Sequence, residues 1–320
     1  MEHVTRKVQV TGGSTFIISL PPEWVKRNNI NKGSEVSITD QGTELLVEPA
    51  NNEESEVTKK ITLPASYTGK PLQRLLTSMY ISGFDTLLVV SKDKMTPEMR
   101  DDIKRFAKVV MGIEVIEETS KSIVLQNVLN ANTFSLEKAI RRMSLNVSTM
   151  IEDTIKAIHD EDDDLIENIV LRDDEVDRYQ WYIYREVKIR CRDERSNIYI
   201  LVLSRILERI ADHAVNICQA IKHKKGIKGR EKMIDNLTYS NDVYKKAMET
   251  FYSRNFNEID GIINRKAEIT QRKYELLSEL SYDSVLSSIA EEISRIGLYG
   301  TDIAELAMDL ILSDREEFSI

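Results

Sequence analysis

Four carboxylates in the C-terminal half have a spacing that metal chemistry can use. Asp173 and Asp177 stand four apart in Leu171-Arg-Asp-Asp-Glu-Val-Asp177, and Glu208 and Asp212 stand four apart in Leu207-Glu-Arg-Ile-Ala-Asp-His-Ala214. On a helix each pair lies on one face, one turn apart, where like charges repel by a few tenths of a kcal/mol. If the two helices are antiparallel neighbours, the four groups converge and a bound cation reverses that repulsion. All-oxygen ligation suits Mg, Mn, Ca or carboxylate-bridged iron rather than a thiolate zinc site. His213, next in the chain, offers a nitrogen to the ion or to its ligands. Acidic residues at helical spacing are also the ordinary make-up of a solvated face, so spacing alone leaves both readings open.

A second chemistry is cationic. Up to Asn31, Arg6, Lys7, Lys26 and Arg27 oppose only Glu2 and Glu23, in a chain whose net charge is -9. Basic residues beside a glycine turn and on a short helix can contact nucleic-acid phosphates. A solubilising patch would look the same. Catalytic signatures are missing. Thr68-Gly-Lys-Pro71 has the wrong spacing for a phosphate-binding loop, and G-x-S-x-G, H-E-x-x-H and dinucleotide glycine patterns do not occur. The four histidines, at 3, 159, 213 and 223, form no readable triad with serine. Glu161-Asp-Asp-Asp164 reads as a loop and first helical turn, where negative charge suits the helix dipole. His159 and His223 fall at helix ends. Cys191 and Cys218 read as packing residues.

Three zones must position these groups. To about Glu48, alternation at Val8, Val10, Phe16, Ile18, Val36 and Ile38, and the run Leu45-Leu-Val47, predict four short strands. Gly12-Gly13 and Gln41-Gly42 punctuate the two pairs. Pro21-Pro22 opens one short helix between them. Asn51 to Glu56 reads as a linker. From Thr58 to Asn132 the order is β-α-β-α-β-β. Pro71 opens the first helix and Gly83 ends it; Thr96-Pro97 caps the second, which runs to Gly112. From Ser135 onward the chain is helical, with no proline after Pro97. Six long helices are expected there.

The helical zone repeats. Met150–Asp177 aligns with Val243–Thr270 at an offset of 93, and Glu208-Arg-Ile-Ala211 with Ser294-Arg-Ile-Gly297 at an offset of 86. Two three-helix bundles in tandem are expected, over about 137–224 and 230–316. In the second copy the four carboxylates become Lys266, Thr270, Ser294 and Leu298, so any metal belongs to the first repeat.

Composition bounds the class. At 320 residues the chain exceeds one ordinary domain, and 41% apolar content supports real cores. Twelve Gly and six Pro disfavour an all-β fold, and two Cys exclude a disulfide framework. An acidic chain is not chiefly a nucleic-acid binder. No apolar run approaches the ~20 residues of a spanning helix, so a soluble protein of the reducing cytoplasm is expected.

Two resemblances join these motifs. Residues 4–49, with Arg6-Lys-Val, Gly12-Gly-Ser-Thr-Phe-Ile-Ile-Ser-Leu-Pro-Pro-Glu-Trp-Val-Lys-Arg27 and Asn31-Lys-Gly-Ser-Glu-Val36, resemble AbrB/SpoVT swapped-hairpin domains. That resemblance implies two chains interlaced into one β-barrel, hence a homodimer, and DNA binding through Arg6, Lys7, Lys26 and Arg27. About 45 residues without disulfide or metal are also marginal as a monomeric fold. Gly13-Ser14 stand where bacterial relatives often have an arginine. The helical zone resembles the PhoU family at Leu207–Ile217 and at Asp173–Asp177. This implies tandem three-helix bundles, and a metal site, often a multinuclear iron cluster, at Asp173, Asp177, Glu208 and Asp212. The fusion resembles archaeal PhoU-type regulators. The middle zone matches no family here.

The expected architecture is multidomain and mainly α. A swapped-hairpin domain covers 1–50, a small α/β domain 58–132, and PhoU-like bundles 133–320. The expected function is DNA-binding regulation of phosphate uptake, with bundles sensing a metal or a partner such as the phosphate ABC-transporter ATPase. The alternative is a PhoU-like interaction protein, dimeric through its N-terminal domain, that regulates the transporter ATPase or a kinase without binding DNA. An enzyme using the first-repeat carboxylates is disfavoured, because no nucleophile or acid–base partner is placed beside them.

Overall fold

Two antiparallel hairpins frame the N-terminal unit, Met1–Glu56. In the computed structural model, residues 4–40, 42–50, 56–129, 134–190, 197–279 and 284–313 are described. β1 (Gln9–Thr11) pairs with β2 (Thr15–Ile17) across Gly12 and Gly13, and Val10 faces Phe16. The short helix α1 (Pro22–Arg27) has proline in its first turn, where no amide partner is needed. β3 (Val36–Asp40) pairs with β4 (Leu45–Pro49), and the Gly42 amide donates to Asp40 Oδ1 at 2.8 Å. Of the residues expected at turns and in the linker, Gln41 and residues 51–55 lie outside the described set, as does Cys191.

The unit Val57–Ile320 begins with a four-stranded sheet in the order β5-β6-β8-β7. β5 (Thr58–Leu63) runs parallel to β6 (Thr86–Ser91); β8 (Ser122–Asn127) runs antiparallel to β6 and to β7 (Ile113–Glu118). The crossover is α2 (Gly69–Ile81), whose Leu72, Leu76 and Tyr80 recur every four residues and are buried. α3 (Pro97–Val109) starts at Thr96, whose side chain accepts the Met99 amide. Gly112 does not end this helix. It turns the chain into β7 at φ +76°, where a side chain would strike Leu129 Cβ at 2.5 Å. α2, α3 and the sheet share one core around Leu72, Phe84, Leu87, Ile103 and Ile123.

The rest is helical: α4 (Leu136–Asp160), α5 (Asp163–Arg190), α6 (Asn197–Ile221) and α7 (Arg230–Ser253), a 3-10 turn at Phe256–Glu258, then α8 (Ile259–Ile263), α9 (Lys266–Glu279) and α10 (Ser284–Ser313). The offset of 93 reappears in the backbone. Glu161 and Arg254 both close a helix in the left-handed conformation, at φ 53° and 57°. The next residues, Asp162 and Asn255, accept amides of the following turn. The second repeat departs from the expected unbroken helix. Its middle element divides at Asn264–Arg265, where the Arg265 amide bonds to the Ile262 carbonyl, three residues back, and Arg265 reaches across to Asp242 at 2.6 Å.

Candidate metal centre and nucleic-acid surface

Helices α5 and α6 pack side by side, and their inward faces carry the four acidic groups. Asp173 and Asp177 occupy successive turns of α5, and Glu208 and Asp212 successive turns of α6. Burial raises the Asp177 carboxyl to about 7, with Asp173, Glu208 and Asp212 adding to the rise. Asp173 is raised to about 6, again by burial first and then by Asp212, Asp174 and Glu208. Glu208 is raised by burial and by Asp212, against the opposing pull of Arg205, Arg209 and a hydrogen bond from Gln180. Each pair thus feels the other across the helix interface, so the structure brings all four into one electronegative patch.

The patch is short of positive charge. Arg205 reaches Glu208 Oε1 at 3.3 Å and Arg209 approaches Oε2 at 3.8 Å, but Oε2 is buried without a hydrogen-bond partner. A buried carboxylate oxygen beside two carboxyls whose affinity for protons is raised fits a hard, oxygen-binding cation. The cage is not closed: among the described residues no three His, Cys, Asp or Glu side chains are grouped to hold an ion as they stand.

At the other end of the chain, the four basic residues are all exposed. Arg6 and Lys7 precede β1, and Lys26 and Arg27 form the last turn of α1. Lys26 lies 3.8 Å from Glu23, an exposed pair that binds little. Lys26 and Arg27 are neighbours; no hydrogen bond or ion pair among the described residues joins them to Arg6 or Lys7.

Residues 140–221, which contain the acidic patch, match the PhoU domain. This stretch of the chain is similar to the PhoU domain. Residues 9–55 match a second family, the antidote-toxin recognition MazE of bacterial antitoxins. A PhoU homologue of Clostridium acetobutylicum, the "phosphate-specific transport system accessory protein", is 23% identical over 182 residues, spanning 53% of this chain and 81% of that protein. PhoU homologue 1 of Thermotoga maritima is 33% identical over 93 residues, spanning 28% of this chain and 40% of that protein. In fold, crystal structures of PhoU from Pseudomonas aeruginosa (TM-score 0.52, 18% identity, 57% of this chain and all of that one) and Streptococcus pneumoniae (0.50, 19%, 58% and 96%) are similar.

Within the PhoU-like region the α5–α6 face is acidic, whereas the second repeat carries other residues there. Lys266 pairs with Glu305 at 2.5 Å, Thr270 donates back to the Lys266 carbonyl, and Ser294 is buried. His213 does not serve the acidic patch. Its Nδ1 lies 2.5 Å from Glu292 on α10, which also accepts from Asn216 at 3.2 Å. One residue's rotation about α6 turns His213 away from Asp212 and toward the second repeat. His159 and His223 meet Asp160 and Asp163 at helix ends, and Cys218 is buried. The Gly69 amide at the start of α2 donates to Asp102 at 2.5 Å, so that helix end is already occupied by a carboxylate.

Sequence reading passes over three arginines of the first helical repeat: Arg142, Arg178 and Arg185. Arg185 is buried against the sheet layer and donates to the Tyr80 and Phe84 carbonyls. The available signal was its place in the apolar stretch Tyr182-Ile183-Tyr184-Arg185, where a charged residue needs a built partner.

Proposed function

We propose that this protein is a DNA-binding regulator of phosphate uptake, dimeric through its N-terminal unit, whose PhoU domain takes a divalent or iron cation between α5 and α6. The observation that carries this reading is the presence in one chain of a PhoU match and an antitoxin-type match, the first lying on the acidic patch. Apolar exposure supports the dimer. Val10, Phe16, Ile38 and Leu45, which alternate on the hairpins, are 59%, 74%, 61% and 61% exposed. Hairpins that leave these side chains in water gain their core from a second copy. Arg6, Lys7, Lys26 and Arg27 are then presented twice per dimer and contact DNA phosphates.

Asp173, Asp177, Glu208 and Asp212 would hold the cation, which supplies the positive charge the patch lacks. The PhoU domain then reports metal or partner state to the dimer as a regulatory rather than an enzymatic element, in the cytoplasm. No helix among the described residues is long and apolar enough to cross a membrane. A mobility-shift assay on DNA upstream of phosphate-transporter genes, across a salt series, tests the proposal. Affinity should fall steeply with salt, because counterions are released from the duplex. Absence of binding at low salt would overturn the DNA role.

One observation favours a second reading. The relatives from Clostridium and Thermotoga are named as accessory proteins of phosphate-specific transport, and the N-terminal helix offers few unpaired cations. On this reading the N-terminal unit only dimerises and the PhoU domain docks on the transporter ATPase or a kinase. Retention of the transporter ATPase in a pull-down, by protein that binds no DNA, would select it.

A further inference from the structure

A cavity of about 320 Å³ opens where the sheet layer meets the first helical repeat. Met111 and Leu129 form its apolar side; Phe134 and Tyr179 present rings; Arg142 and Arg178 present guanidinium groups. We propose that this cavity binds a small organic phosphate bearing a planar ring, with a nucleoside monophosphate as the simplest member of the class. The proposal goes beyond the regulatory reading and stands independently of it.

The walls are held in place. The Tyr182 hydroxyl donates to the Phe134 carbonyl at 2.5 Å and its ring lies 5.2 Å from that of Phe134. The Tyr80 hydroxyl donates to the Met111 carbonyl at 3.0 Å, and the left-handed turn at Gly112 brings Leu129 alongside. The site is therefore largely pre-formed, and its volume falls in the lower range of small-ligand sites, roughly 300–1,000 Å³.

The charge is unbalanced. Arg178 Nε is buried and has no hydrogen-bond partner. The Arg142 guanidinium lies 5.3 Å from the centroid of the Phe134 ring, and among the described residues neither arginine forms an ion pair. A desolvated guanidinium donor without an acceptor is costly. The one carboxylate on the cavity, Glu175, accepts from Asn146 Nδ2 at 3.2 Å, which leaves two cations against one anion. Two guanidinium forks match the oxygens of a phosphate, which they bind bidentately. The rings and the Met111–Leu129 wall suit a flat, weakly polar body rather than a bare ion.

Calorimetric titration of the full-length protein in EDTA tests this, with AMP as the probe and ribose 5-phosphate, adenosine and inorganic phosphate in parallel. AMP should saturate one site below about 1 mM. Arg178→Gln and Arg142→Gln should each weaken AMP by roughly tenfold. Phe134→Ala should weaken AMP more than ribose 5-phosphate, and Glu175→Gln should tighten AMP. Arg142 is exposed, so its variant keeps the fold and guards against a misfolded Arg178 variant; circular dichroism checks both. Lack of AMP binding at about 1 mM, equal affinity in wild type and Arg142→Gln, or inorganic phosphate binding as tightly as AMP would each overturn the proposal.

Discussion

The guanidinium of Arg185 donates to the carbonyl oxygen of Phe84 at 2.7 Å, and to that of Tyr80 at 3.1 Å. Arg185 lies on α5, and the two carbonyls flank Gly83, where α2 ends and the chain turns toward β6. The same guanidinium stands 5.2 Å from the Tyr80 ring and 3.9 Å from Asp85. One side chain thus satisfies the end of a helix in the sheet layer and fixes it to the helix that carries Asp173, Asp177 and Arg178.

Replacing Arg185 should therefore loosen two layers at once. Arg185→Ala removes one member of a buried charged network, for which roughly 3–5 kcal/mol is expected. Arg185→Lys keeps the charge but loses the fork, and should recover only part of it. Urea denaturation followed by circular dichroism measures both. An Arg185→Ala protein within about 0.5 kcal/mol of wild type would refute the clasp.

The acidic patch predicts a pH dependence of unusual sign. Asp173 and Asp177 are raised to about 6 and about 7 from 3.8. Over that interval the folded chain binds more protons than the unfolded one, so stability falls as pH rises. The contribution is complete below about pH 4 and is lost on passing through the two raised values. Metal-free protein should melt at a higher temperature at pH 5.5 than at pH 8. Asp177→Asn should flatten the slope and raise the pH 8 melting point by about 2–4 °C, allowing for solvent screening of a partly exposed group. A wild-type melting temperature that rises over this range would contradict it.

Divalent cation should replace the protons. Elemental analysis of protein purified without chelator should find metal in the wild type and far less in Asp173→Ala/Asp212→Ala, while Lys266→Ala in the second repeat leaves the content unchanged. Equal metal in wild type and double variant would remove the site.

The N-terminal unit predicts self-association. Phe16→Ser takes away a ring that is 74% exposed in the single chain. A residue so exposed adds little to a monomer's stability, whereas a buried phenyl ring at a dimer interface contributes about 2–3 kcal/mol. Sedimentation should show wild-type dimer and a variant shifted toward monomer. A wild-type monomer at all concentrations would end the dimer reading.

Local rules account for much of what was legible in the chain. Thr96, Ser135 and Asp162 cap helices because their oxygens can accept the orphan amides of a first turn. The offset of 93 was readable because equivalent helices bury equivalent faces, as Ile166 and Ile259 do. The spacing of Asp173 with Asp177, and of Glu208 with Asp212, fixed each pair on its own helix through the helical period alone.

What the sequence could not decide is what lies across a gap in chain position. That the two acidic pairs influence each other depends on how α5 packs against α6, and the raised affinity of Asp173, Asp177 and Glu208 for protons exists only after burial. That His213 faces Glu292 depends on α10 lying beside α6, some eighty residues later in the chain. The break in the second repeat at Asn264–Arg265, the clasp at Arg185 and the unpaired Arg178 follow from tertiary neighbours in the same way. Period and capping are set by covalent geometry within a few residues, and so are written locally. Desolvation and pairing of charge are set by surfaces that only the packed chain brings together.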